Sequence, residues 1–152
     1  FYIAKANDAA GGNLLSLNKE NASFPNVSVT ARVADSSTVN WMNQLQDSGD
    51  DVSTYTYTTN VLNTTGVYGF TMKSNGLMKS FYNGSLAATT NNPSFTPEAY
   101  RSDYPIMLGA ANSTTPTNFL NTQIQEIMIF DKELTTDEAL YLSKYLQHKY
   151  DI

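Results

Sequence analysis

The chain has 152 residues, a formal net charge of −5 at pH 7, 15% charged residues and no cysteine. That length suits one domain with a real core, and an acidic balance without a Lys/Arg cluster argues against a nucleic-acid partner, which needs a basic footprint. The lack of cysteine rules out disulfides and thiolate metal sites, and no apolar run approaches membrane-spanning length. No signal-peptide pattern is present, and a chain that starts at Phe1 rather than Met sets the expectation that an upstream portion has been lost. Few charges with abundant Thr, Ser and Asn favour all-β structure over a helical bundle or disorder.

In chain order, the dominant period is two. Val27 to Val33 alternates, with Val27, Val29, Ala31 and Val33 on one face and Ser28, Thr30 and Arg32 on the other. Val39 to Asn43 puts Val39 and Trp41 together, and Asp47 to Asp51 reads as a loop. Tyr55 to Thr58 alternates, as do Tyr68, Phe70 and Met72. Ser74-Asn75-Gly76 and Asn83-Gly84 supply the positive φ of tight hairpins, and Asn91 to Ser94 reads as a second loop. Ile124 to Phe130 is apolar or β-branched with polar breaks at Gln125 and Glu126, which suits a strand. Asp131 to Glu133 ends it. Thr135 and Glu138 then form a capping box, with Leu134 and Ala139 placed as a hydrophobic staple. Leu142, Tyr145, Leu146 and the stem of Lys149 fall on one helical face. Short strands, strong turns and one late helix predict a single all-β domain, a two-layer sandwich closed by a C-terminal helix.

The closing segment, IQEIMIFDKELTTDEALYLSKYLQHKY from Ile124 to Tyr150, resembles the last strand and helix of laminin-G-like, concanavalin A-like jelly-roll domains. Val67 to Thr89 is similar to that family's pair of hairpins, with an aromatic-x-Asn-Gly turn at Phe81 to Gly84, and Ile106 to Gly109 is similar to its short penultimate strand. The resemblance implies further strands at Phe1 to Lys5 and Leu14 to Leu17, in an antiparallel two-sheet jelly roll. It also implies one or two earlier strands that are missing here, so that the chain is a fragment or another segment supplies the open edge.

Some concanavalin A-like domains are glycoside hydrolases, which place two carboxylates across the scissile bond in a Glu-x-Asp-x-x-Glu strand. Here Glu20, Glu98, Glu126, Glu133 and Glu138 make no such pattern. Glu133 and Glu138 sit where the helix begins, and negative charge is welcome there. The single histidine, His148, falls in the last helical turn, where a cation suits the dipole. Phosphate-loop, Gly-x-Ser-x-Gly and His-x-x-x-His patterns are absent. The expectation is a protein without an active site.

Two patches qualify for binding. Trp41, Tyr55 and Tyr57 offer flat rings for sugar faces, with Asn40 and Asn43 for hydroxyls. Trp41 reads more naturally as core, while the two tyrosines suit either role. Asp47, Asp50 and Asp51 around Gly49 offer oxygens to calcium, against the simpler reading of a solvated acidic loop. Five sequons, at Asn21, Asn26, Asn63, Asn83 and Asn112, are what so Asn-, Ser- and Thr-rich a chain produces by chance. The expected function is a non-catalytic surface module that contacts glycans, neighbouring structural proteins or further copies of itself. The composition and the resemblance point to a capsid, spike or fibre on a virion surface, with an extracellular bacterial adhesin or a purely structural capsid module as alternatives.

Overall fold

The computed structural model describes residues 1–7, 12–18, 28–34, 40–46, 52–57, 62–73, 76–94, 106–110 and 119–152. Among the described residues ten strands and one helix follow in order: β1 (Tyr2–Ala6), β2 (Gly12–Asn18), β3 (Ser28–Ala34), β4 (Asn40–Gln46), β5 (Val52–Thr56), β6 (Gly66–Met72), β7 (Leu77–Tyr82), β8 (Ser85–Asn91), β9 (Met107–Leu108), β10 (Thr122–Ile127) and α1 (Thr136–Tyr150). They form two five-stranded antiparallel sheets, ordered β10-β1-β6-β7-β8 and β5-β4-β3-β2-β9.

Alternation along β1 divides the core. Tyr2, Ala4 and Ala6 face the second sheet and join Leu14, Leu15, Tyr57, Tyr68 and Leu120 in one cluster. Phe1 and Ile3 face the other way and join Val67 and Phe81 beneath Leu134, Ala139 and Leu146 of the helix segment. The first sheet is therefore covered on both faces, by the second sheet and by α1. A Cβ on Gly69 would overlap the Phe1 ring, so the bare backbone there lets Phe1 lie flat across β6.

The β7–β8 turn is fixed by Asn83 and Gly84, at φ 41° and 72°, the paired positive values that a two-residue hairpin loop needs. The Asn83 side chain accepts the Val67 N–H at 2.8 Å, and the Gly84 N–H donates to Ser143 Oγ of α1 at 2.9 Å. That bond explains why the helix departs from the expected face. Ala139, Ser143 and Leu146 are its buried residues, whereas Tyr145 is half exposed. A serine replaces an apolar residue at the seam because it meets a turn N–H that would otherwise be buried without a partner.

The predicted capping box forms. The Thr135 N–H donates to Glu138 Oε2 at 2.8 Å, and the Glu138 N–H donates to Thr135 Oγ1 at 3.2 Å. At the other end Glu126 of β10 accepts from Lys149 Nζ at 2.8 Å and from the Tyr150 hydroxyl at 2.6 Å, clamping the last turn to the sheet. The Lys149 bond, followed by the Tyr150 bond, holds the Glu126 carboxyl below its ordinary range, and the Thr135 backbone N–H does the same for Glu138.

Both carboxylates have a lower pKa folded than unfolded. Their stabilisation is present above the unfolded value of 4.5 and is lost as pH falls through the lower folded value. Urea midpoints for the wild type and Glu126→Gln should therefore differ at pH 7 and converge as pH drops below about 4.5. A gap that persists unchanged to pH 3 would contradict this linkage. Gly84→Ala should cost about 2 kcal/mol or more in urea unfolding. The Cβ lies 2.5 Å from Gln147 Oε1 and 2.9 Å from Lys144 Cγ, at a φ that L-residues avoid.

Candidate binding cleft

Five tyrosines meet between the sheets. Tyr2 stacks on Tyr68 at 5.4 Å, Tyr68 on Tyr82 at 5.1 Å, and Tyr57 meets Tyr68 and Tyr55 edge-on at 5.4 and 4.9 Å. Tyr57, just past β5, is 2% exposed. Its hydroxyl crosses to the first sheet and donates toward Gly69 O at 3.0 Å and Phe81 O at 2.9 Å. Its ring is enclosed by Tyr55, Tyr68 and Tyr82. A ring covered in this way has no face to offer a sugar, which corrects the reading of Tyr57 as part of a platform. Tyr55 is half-buried and packs on the same cluster. Asn43 lies directly opposite it in the β4–β5 ladder, while Asn40 and Trp41 pair with Ala34 and Val33. The side chains of Asn40, Trp41 and Asn43 lie outside the described residues, as do Asp47, Asp50 and Asp51. Among the described residues no group of three or more His, Asp or Glu side chains comes together to hold a metal ion.

A cleft of about 370 Å³ lies elsewhere, at the start of β1. Ladder lengths explain it. β1 pairs with β6 only as far as Tyr2 opposite Tyr68, and with β10 as far as Phe1 opposite Met128. Beyond that point β6 runs on through Phe70, Thr71 and Met72, and the chain after β10 continues through Ile129 and Phe130. The gap between these walls is lined chiefly by Phe70, Met72, Ile127, Met128, Ile129 and Phe130. Ile129 is 57% exposed and Phe130 43%. Lys73 and Glu133, 3.7 Å apart, bridge the walls at the outer end. The cleft offers apolar surface and strand edges, with Asp131, Lys132 and Glu133 at its rim.

Sequence reasoning carried the strand through to Phe130, whereas β10 ends at Ile127. The unbroken apolar run from Ile127 to Phe130 was the available signal: four successive apolar residues in a strand need cover on both faces, and here the last two lack it.

Neither a protein-family model nor a curated protein sequence matches the chain. Solved structures similar in fold include two binding domains. They are the botulinum neurotoxin serotype D binding domain and the receptor binding domain of botulinum neurotoxin D, each at a TM-score of 0.56 and 13% identity over 95% of this chain. The matched region is 35% of one and 36% of the other, so this chain spans about a third of their length. At that identity the likeness shows the fold: antiparallel sheets with a short C-terminal helix.

Tyr57→Phe should cost about 1 kcal/mol of stability, the usual worth of a buried hydroxyl bond. Tyr57→Ala should cost several times more, by opening a cavity between the sheets. Thermal and urea unfolding check both. A Tyr57→Ala protein as stable as wild type would contradict the inter-sheet role of the ring.

Proposed function

We propose that this chain is a non-catalytic binding module. In this reading its two sheets form a β-sandwich of the laminin-G/concanavalin A-like jelly-roll type, and it contacts glycans or neighbouring proteins during attachment. The observation that carries the reading is the likeness in fold, over 95% of the chain, to two structures described as binding and receptor binding domains. A virion-surface location is supported by the cysteine-free, Asn-, Thr- and Ser-rich composition. Membrane insertion through a helix has no support, because no helix among the described residues is long and apolar enough to cross a bilayer.

The test pairs retention with turnover. The protein, immobilised, is challenged with a glycan array and with purified virion or cell-surface proteins. It is separately incubated with the polysaccharides it retains. Saturable retention with no new reducing ends or unsaturated products is expected. Turnover of a retained polysaccharide would replace the binding module with an enzyme.

A further inference from the structure

We propose that Asn83 is a self-modification site that the docked helix holds shut. When α1 lifts from the β7–β8 turn, the Asn83 side chain cyclises on the Gly84 nitrogen and hydrolyses to aspartate or isoaspartate. The isoaspartate form cannot take α1 back, so the event runs one way.

The dipeptide supplies the chemistry. Glycine after asparagine leaves the side-chain amide carbon open to the next main-chain nitrogen, because no Cβ blocks the approach. The Gly84 nitrogen loses its proton and bonds to Asn83 Cγ, and the Cγ–Nδ2 bond breaks with release of ammonia. Water then opens the five-membered imide at either carbonyl. One opening gives aspartate. The other routes the main chain through the former side-chain carbon and inserts Cβ into it, as isoaspartate. One water is consumed and one ammonia leaves, so the step needs no other reactant.

The folded turn opposes each requirement. Asn83 stands at φ 41°, in the left-handed region where ψ is roughly +30 to +60°. At such a ψ the Gly84 nitrogen points away from Asn83 Cβ, whereas ring closure needs the two eclipsed. Asn83 is also pinned twice to Val67 of β6. Its N–H donates to Val67 O at 2.9 Å and its Oδ1 accepts the Val67 N–H at 2.8 Å. The side-chain amide therefore stands in for a further ladder residue and cannot swing toward Gly84. The attacking nitrogen is itself engaged, donating to Ser143 Oγ at 2.9 Å in a buried position, where loss of its proton is disfavoured.

α1 enforces all of this by its cover. A methyl-sized group on Gly84 would come within 2.5 Å of Gln147 Oε1 and 2.9 Å of Lys144 Cγ. The turn has no room to change ψ while the helix is down, and none for an added main-chain atom afterwards. Isoaspartate lengthens the loop by that one atom, shifting Gly84 off Ser143 and straining the Tyr82–Ser85 pair where β8 begins. Val67 and Phe81 then lose the cover of Ala139 and Leu146. Aspartate keeps the main chain unchanged and still offers an oxygen to the Val67 N–H, so that product folds back.

The test is peptide mapping by mass spectrometry that separates asparagine, aspartate and isoaspartate at position 83. The protein is aged in mildly alkaline buffer with and without urea, and Asn75-Gly76, the other Asn-Gly of the sequence, is the internal reference. In urea the two sites should convert at similar rates. In native buffer Asn83 should convert at least tenfold more slowly than in urea, since only the open population reacts. Equal Asn83 rates with and without urea overturn the protection. Ser143→Ala, confirmed as folded by its urea transition, should speed Asn83 about tenfold and leave Asn75 unchanged, because the Gly84 N–H has lost its bond to the helix. Acceleration of both sites together, or of neither, overturns the role of α1. Should Ser143→Ala fail to fold, Glu126→Gln, which frees the last turn of α1 without touching the hairpin, is read in the same way. Purified protein carrying isoaspartate at position 83 should melt well below wild type, and Asn83→Asp close to it. Equal losses in the two overturn the one-way step.

Discussion

The double burial of the first sheet governs the rest of the molecule. A sheet with one wet face can tolerate polar residues at alternate positions, but β1, β6 and β7 must satisfy two apolar environments at once. Tyr2, Ala4 and Ala6 answer to one side, and Phe1 and Ile3 to the other. Small residues then become obligatory wherever a ring arrives from a neighbour, as at Gly69 beneath Phe1. The second face exists only because α1 covers it, so the capping box, the Glu126 clamp and the Gly84–Ser143 bond are all part of keeping that cover in place.

The inter-sheet layer is unusual in being built from phenols. Each ring supplies large apolar area, yet each hydroxyl needs a partner once water is excluded. Tyr57 resolves this by reaching the main chain of the opposite sheet. For Tyr2, burial first and the neighbouring phenols of Tyr57 and Tyr68 second push the hydroxyl pKa upward, which keeps the layer neutral at ordinary pH. A core of this type trades some hydrophobic gain for directional bonds, and these fix how one sheet sits on the other.

What could be read from the residues depended on how local the physics was. The Asn83-Gly84 turn and the Thr135–Glu138 box declare themselves because their partners lie within a few residues. The strand expected over Val27 to Val33 is likewise found, as β3 over Ser28–Ala34. β9, only Met107 and Leu108, was visible through family resemblance alone. Ser143 could not be recognised as buried, since its partner is a turn N–H far away in sequence. Tyr57 was ambiguous for a chemical reason, because an amphipathic ring suits a surface or a core and only the opposite sheet decides. The cleft was hidden for a topological one: Ile129 and Phe130 read as strand until it is known where β1 stops. Of the candidate binding residues, Tyr57 proved to be core and Tyr55 to be packed against it, while the acidic loop lies outside the described residues.

The pairing of β1 with β10 joins Phe1 to Met128, 127 residues apart. The neighbouring ladders β2 to β5 and β6 to β8 are meanders whose strands follow one another in sequence. Loop-closure entropy favours such local hairpins early and delays contacts of high sequence separation. During synthesis the two meanders can assemble and β1 can pair with β6, while its other edge waits for β10 to leave the ribosome. The β10-side edge of β1 is thus secured late, and an apolar strand with one open edge is a site for chaperones and for misassociation until β10 arrives.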